Sequence, residues 1–359
     1  MKRICVAILA LVMIFSIASC GRGGDGTDGA TSSFEPISAG EYLIWEKQEG
    51  AVSYRVLLDG VEAATVTENA YHAAQDFSQA QVEAVMADGS TRASAKVTRE
   101  TLKKESAVTV ASAEEWERTD LSKFNTVTID MTDGFDISGM GLLIPAQVYR
   151  LVLLGQAGKV YEDVCIEIAV RTASLVVACS DFSAVAASGA DLIRMESADG
   201  YTPTLILENK GACTLSGGNG AAGARGTDGA PIQHGTDGSA GGAGGAAVVA
   251  DRVLVAGEGR LALCGGSGGK GGMGGLGNGL NNPGDGGAGG NGGDAVRADR
   301  VAVYMKSGAA CYFTGGEGGA GGQAGDKQST SFGSSSDGAA GAAGQRATAE
   351  IDRIRGIVK

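Results

Sequence analysis

Glycine at every third position, sustained through three tracts in the C-terminal half, constrains this chain more than any other feature. In the first tract glycine stands at 217, 220, 223, 226 and 229, then at 235, 238, 241 and 244. In the second, Gly-Gly-X triplets run over 265–275 and resume over 286–293; the third tract has 315–322, then Gly338, Gly341 and Gly344. A three-residue period with a bare edge predicts an extended threefold helix rising about 3.1 Å per residue, packed so closely along that edge that no β-carbon fits.

Collagen has this local geometry but needs long unbroken triplets and abundant proline, whereas these tracts are interrupted and the chain has 5 prolines against 61 glycines. Each interruption is a largely polar segment, at 230–234, 280–283 and 326–336. Each tract therefore reads as a hairpin of two threefold limbs and a tip. Three hairpins supply six limbs, enough for a bundle held by backbone N–H···O and Cα–H···O contacts, since few side chains are available for a core. The competing reading is flexible low-complexity loops; the register kept across the tips of copies one and two favours order. The pattern resembles the polyglycine II bundles of certain phage tail-tip adhesins and of a snow-flea antifreeze protein. In the adhesins the tips bind the receptor, so the resemblance implies binding residues at Gln233, His234, Asn281, Asn282, Ser331 and Phe332.

The tracts are embedded in an internal repeat. The segment 247–255 (AVVADRVLV) reappears at 295–303 (AVRADRVAV) and, degraded, at 347–354 (ATAEIDRI). A short apolar segment precedes each tract, at 212–215, 261–264 and 310–313, placing Cys213, Leu261 and Cys311 in one column. Upstream, strand-like runs at 126–129, 149–153, 164–168, 174–178, 191–195 and 204–207 are separated by small or polar turns. Helical periodicity is confined to a cap: Ser112-Ala113-Glu114-Glu115-Trp116 matches a capping box that opens a short helix to about Leu121, with Trp116 on its apolar side. The expected architecture is a right-handed parallel β-helix or similar solenoid over 100–216, capped by that helix, with further coils and three glycine hairpins over 217–359. A second sandwich is the runner-up.

Residues 34–99 read as short alternating strands near 42–45, 53–58, 63–67, 71–74, 81–86 and 94–98, with Asp59-Gly60 and Asp88-Gly89 as turn signals. Trp45, Gly50-Ala51 ahead of Tyr54, Asp59-Gly60, and Val82-Glu83-Ala84-Val85 followed by Asp88-Gly89 resemble a fibronectin type III domain. The resemblance implies a β-sandwich that spaces or binds, with Trp45 and Tyr54 in its core. The expected fold class is all-β.

At the N-terminus, Lys2 and Arg3 precede an apolar run over 4–17 that is too short for a bilayer span and suits a signal peptide over 1–19. It ends in Ile17-Ala18-Ser19-Cys20-Gly21, which resembles the lipobox of bacterial lipoproteins. The resemblance implies lipidation of Cys20, a membrane partner through that anchor, and residence in the bacterial cell envelope. Residues 20–33 then form a glycine-rich flexible tether.

Chemistry-bearing constellations are few. A net charge of −12 argues against nucleic acid as partner. Two histidines, His72 and His234, and cysteines with no C-x-x-C pair leave no metal or cofactor site to expect. The best acidic cluster is Asp130, Asp133 and Asp136, but Asp133-Gly134 reads as a turn. Thr227-Asp228-Gly229 and Thr236-Asp237-Gly238 flank the first tip, with turn chemistry favoured over a cation between them. The expectation is a non-catalytic surface lipoprotein that binds a glycan or a host or cell-surface protein at its tips. The rivals are a polysaccharide-active β-helix enzyme and an inert structural envelope protein.

Overall fold

The computed structural model describes residues 34–358 apart from 35, 40, 41, 46, 74–76, 99–105, 231, 232, 279, 280, 307, 327–333 and 356. The expected signal peptide, the lipidation site Cys20, the tether, and the tip residues Ser331 and Phe332 lie outside the described residues.

The first eight strands are β1 (Ile37–Ala39), β2 (Tyr42–Ile44), β3 (Ala51–Leu58), β4 (Val61–Val66), β5 (Ala70–His72), β6 (Gln79–Met86), β7 (Thr91–Ala93) and β8 (Val97–Thr98). They form two antiparallel sheets, β1-β2-β5 and β4-β3-β6-β7 with β8 also on β6. Residues of β3 and β6 alternate in burial, so one face of that sheet meets a shared core with Leu43 and Trp45. Trp45 packs edge-on against Tyr54, with ring centroids 5.4 Å apart, and the Tyr54 hydroxyl accepts the Gln48 amide at 2.8 Å. Asp59 and Gly60 both have positive φ, which gives the β3–β4 hairpin the backbone twist its strands need.

The rest of the chain is a stack of coils built from parallel ladders. In order they are β9 (Ala107–Val110), α1 (Ala113–Arg118), a 3-10 turn (Leu121–Lys123), β10 (Thr126–Asp130), β11 (Gly141–Ile144), β12 (Arg150–Leu154), β13 (Val160–Arg171), β14 (Leu175–Ser180), β15 (Ser183–Ala186), β16 (Ile193–Ser197), β17 (Thr204–Lys210) and β18 (Ala212–Ser216). Then follow β19 (Val248–Val249), β20 (Arg252–Gly257), β21 (Arg260–Cys264), β22 (Val296–Arg297), β23 (Arg300–Met305), β24 (Ala310–Thr314), β25 (Ile351–Arg355) and β26 (Ile357–Val358). One face carries β9-β10-β12-β14-β17-β20-β23-β25. A second carries β13-β15-β18-β21-β24-β26 and a third β11-β13-β16-β19-β22, β13 turning the corner between them. Each full coil contributes a strand to the first, second and third face in turn. The protein is thus nearly all β, with a parallel solenoid at its centre.

Inward columns are aliphatic, as in Val177, Leu207, Val255 and Val303, which stack in register. Cys213, Leu261 and Cys311 share the column expected of them. Burial pushes the Cys311 thiol up to about 12 and the Cys179 thiol well above its usual range, so both pack as small hydrophobes. At the first coil, Ser112 Oγ accepts the Glu115 amide at 3.2 Å and Glu115 Oε2 accepts the Ala111 amide at 2.7 Å. Helix α1 ends at Arg118, earlier than expected, and Trp116 and Phe124 pack against the solenoid core.

One expected alignment is corrected. The first two copies pair as read, Val253 against Val301, but Val301 pairs with Ile351 rather than with Arg353. The third copy is already one residue early at its single third-face bridge, Val296 to Ala347, and gains one more before the first face.

The sandwich does not hang from the solenoid as a spacer; it is docked on it. Tyr42, Ile44 and Ala70 share a buried cluster with Ala173, Val176, Ile206 and Ala256 of the first face and its corner. Every residue of β2 is therefore buried, Leu43 towards the sandwich core and its neighbours towards the solenoid. Fully burying one large apolar side chain stabilises by about 1.5–3 kcal/mol. The seam is also hydrogen-bonded: buried Ser174 Oγ donates to Asn69 Oδ1 at 3.0 Å and accepts the Thr204 amide at 2.9 Å, while Asn69 Nδ2 donates to the Trp45 carbonyl at 2.9 Å. Beside it Arg171, 2% exposed, donates to the carbonyls of Ala173 and Val148, and burial pulls its guanidinium down to about 10. Substitution Asn69→Ala leaves both the Ser174 hydroxyl and the Trp45 carbonyl without this partner. It is expected to cost about 1–3 kcal/mol, read as a lowered urea midpoint. Adding Ser174→Ala, which also removes the acceptor of the Thr204 amide, should lower stability further, but by less than Ser174→Ala does alone, because the two residues share one hydrogen bond.

Candidate functional site: the glycine limbs and their tips

All three glycine tracts leave the solenoid at the same corner, between the second and third faces, in consecutive coils. The preceding coil makes that corner with a short turn at 187–192. Neighbouring strands of a sheet lie about 4.8 Å apart, so the coils deliver the tracts already stacked at that spacing. Each tract has an outgoing limb (217–229, 265–277, 315–325) and a return limb (235–245, 284–293, 338–344).

Hydrogen bonds recur every third residue. Outgoing limbs bond in parallel: Gly220, Gly223 and Gly226 donate to the carbonyls of Ser267, Lys270 and Met273 at 2.7–2.8 Å. Return limbs do the same, Gly238 to Asp285 and Gly241 to Ala288. Antiparallel bonds link the two sets, as in Gly242 to Ala221, Gly269 to Gly242, Gly290 to Gly269 and Gly319 to Gly290. A β-carbon on Gly269 or Gly290 would fall inside the carbonyl oxygen of Ala221 or Gly242. This is why inner limbs read Gly-Gly-X, with two crowded faces and one open to solvent. The outermost limbs, 217–229 and 338–344, and residues 235–240 of the first return limb face neighbours on fewer sides and read mostly Gly-X-X.

The third, outward position carries the polar side chains, and many of them bond to the adjacent limb. Asn219 Oδ1 accepts the Ser267 amide, Asp228 Oδ1 the Leu276 amide, Asp237 Oδ1 the Asp285 amide and Asn291 Oδ1 the Ala342 amide, all at 2.8–2.9 Å. Across the first hairpin Thr227 Oγ1 and Thr236 Oγ1 lie 3.0 Å apart, and Asp228 also pairs with Arg225 at 2.8 Å. Asp228 and Asp237 are thus stitching groups between limbs.

The described tip residues form one end of the bundle. His234 Nδ1 accepts the Asn282 amide at 3.0 Å, and the Gly235 amide donates to the Asn282 carbonyl at 3.0 Å. Asn281 Nδ2 donates to the Asn278 carbonyl at 3.1 Å, and Gln233 is exposed, its amide bonded to the Ala230 carbonyl. The first and second tips are therefore stacked and joined through His234 and Asn282. Asn278, which braces the second tip against the Gly229 carbonyl at 3.3 Å, escaped the sequence reading because it falls inside the glycine tract rather than in the interruption.

The acidic cluster is turn chemistry. Strand β10 ends at Asp130, whose Oδ1 accepts from the Thr132 hydroxyl and amide; Gly134 turns with φ +100°. Asp136 Oδ1 accepts the Ser138 amide at 2.9 Å, and its other oxygen meets Lys159 Nζ at 3.2 Å. These hydrogen bonds hold both carboxyls below the usual range, the opposite of what a general acid needs. No family model, no curated protein and no solved structure matches the chain.

Proposed function

We propose that the protein is a lipid-anchored bacterial envelope protein, without a catalytic centre, that presents ligand-binding tips on a polyglycine II-like bundle. One observation carries this reading: six limbs bonded along their length lead polar residues away from the coils, with almost no side-chain core. A limb of twelve steps at about 3.1 Å each reaches about 37 Å from the solenoid. Holding the tips by backbone bonds limits the ordering entropy lost when a ligand arrives. The anchor would be Cys20, and the ligand a glycan or a host or cell-surface protein. The sandwich fits a fibronectin type III-like domain, on its three- and five-stranded sheets and the Trp45–Tyr54 core pair, and it would set the bundle's direction through its docked seam.

The test is a glycan and matrix-protein array probed with the protein lacking residues 1–20, which retains the whole compact unit Phe34–Lys359. A second version carries Gly-Ser in place of 230–234, 280–283 and 326–336. Binding that disappears with the tips while the unfolding midpoint is kept is the expected result. Binding unchanged by the replacement, or none by either version, sinks the reading.

A further inference from the structure

A second place on the molecule is shaped to hold a ligand, on the first face of the solenoid rather than at the corner from which the limbs leave. On the first face Glu208, Ala256 and Tyr304 occupy one register position in three consecutive coils. The small middle residue leaves a notch between a carboxylate and an aromatic ring. The next column along the coil edge is Lys210, Glu258 and Lys306, alternating in charge, with Lys306 Nζ 2.8 Å from Glu258 Oε2. The docked sandwich supplies the opposite wall, Tyr42 and His72, whose rings lie 4.9 Å apart. Together these groups enclose a cavity of about 190 Å³.

We infer that this seam cavity binds a single neutral sugar ring. Its volume is below that of pockets for drug-sized ligands and suits one ring. Its lining carries two carboxylates, Glu208 and Glu258, against two ammonium groups, Lys210 and Lys306, with Glu208 also paired to Arg150 at 3.0 Å and Glu258 to Lys306 at 2.8 Å, so a simple ion meets charges of both signs there. What remains is a set of fixed acceptors and donors for hydroxyls beside aromatic faces for the C–H side of a ring. Tyr304, 39% exposed, stands at the mouth, where it covers a ligand without belonging to the core. For so few atoms the expected Kd is about a millimolar. The site is independent of the tips, and either reading can fail alone.

The experiment is saturation-transfer NMR of the full chain in detergent with a panel of methyl pyranosides at millimolar concentration. Transfer to at least one glycoside is expected, with affinity falling tenfold or more in Tyr304→Ala and in Glu258→Gln and unchanged in the tip-replaced version. Transfer to none of the panel overturns the inference. So does transfer that survives both substitutions, or transfer lost on replacing the tips.

Discussion

Gly269→Ala is expected to break the glycine bundle while leaving the solenoid folded. The added methyl would overlap the Ala221 carbonyl oxygen, a backbone atom that already accepts the Gly242 amide at 2.7 Å. Relief requires the limb to move, and the limb cannot move without stretching its neighbours: Gly269 also donates to Gly242 and its own carbonyl accepts Gly290, both at 2.8 Å. Losing these three backbone bonds at roughly 1 kcal/mol each gives about 3 kcal/mol, large beside the total stability of an ordinary domain. Amide exchange reads the result: glycine amides of 217–245 and 265–293 should lose protection, while those of β14, β17 and β20 keep it. Ala288→Ser is the control. Ala288 is exposed at an outward position, so its change should stay within about 0.5 kcal/mol. Unchanged glycine protection in Gly269→Ala would mean that the limbs do not bear on one another in solution.

Replacing five small side chains at the bundle's two edges by glycine is expected to make the protein self-associate. Positions 269, 272 and 275 of the second outgoing limb are glycine because another limb lies over them. Their counterparts on the first, one coil earlier, are Ala221, Ala224 and Thr227, exposed, with no limb above. At the other edge Ala340 and Ala343 stand where the second return limb has Gly289 and Gly292, packed on Gly319 and Gly316. Side chains also take the place of the absent limb: Ser239 Oγ accepts the Ala224 amide at 2.7 Å, Thr236 Oγ1 the Thr227 amide at 2.8 Å and Asp337 Oδ1 the Ala324 amide at 2.7 Å. These β-carbons and oxygens end the stack as charged or bulged residues end a sheet. Removing five of these eight with Ala221→Gly, Ala224→Gly, Ser239→Gly, Ala340→Gly and Ala343→Gly bares most of two complementary edges on different sides of the molecule. Such a contact does not close on itself and grows. Sedimentation velocity should show species larger than the wild type at equal concentration. A variant that sediments as the wild type does would refute the role given to these side chains.

Much of this architecture was legible because it is written in short-range periods. The three-residue glycine spacing recurs as backbone hydrogen bonds at every third residue, and the repeat placed the first two copies in their true register. Asp59-Gly60 marked a real hairpin, and Ser112 with Glu115 marked a real helix start. Six strands went unread: β1, β7, β9, β11, β15 and β26. They are two to four residues long, and segments such as Ser183–Ala186 bury only small side chains, Ala184 and Ala186, so their alternation in burial has no counterpart in an alternation of polar and large apolar letters. The third repeat was misaligned by two residues, one at its third-face bridge and one before the first face, where similarity in letters outweighed the pairing.

The sequence by itself determined local conformation: where the backbone must come close, where it turns, and which side of a strand faces inward. Those properties depend on residues within a few positions of each other, through sterics and hydrogen bonds to near neighbours. Only the tertiary structure decided what covers the outer faces. The unbroken apolar runs Tyr42-Leu43-Ile44-Trp45 and Leu175-Val176-Val177 signal strands buried on both sides, yet neither run names the other as its cover. That choice, the notch at Ala256 beneath Tyr42, and the closed edges of the bundle each arise from surfaces more than a hundred residues apart in the chain or from the limit of a stack. Burial rewards any apolar partner of the right shape, so which partner is taken is settled only when the whole chain packs.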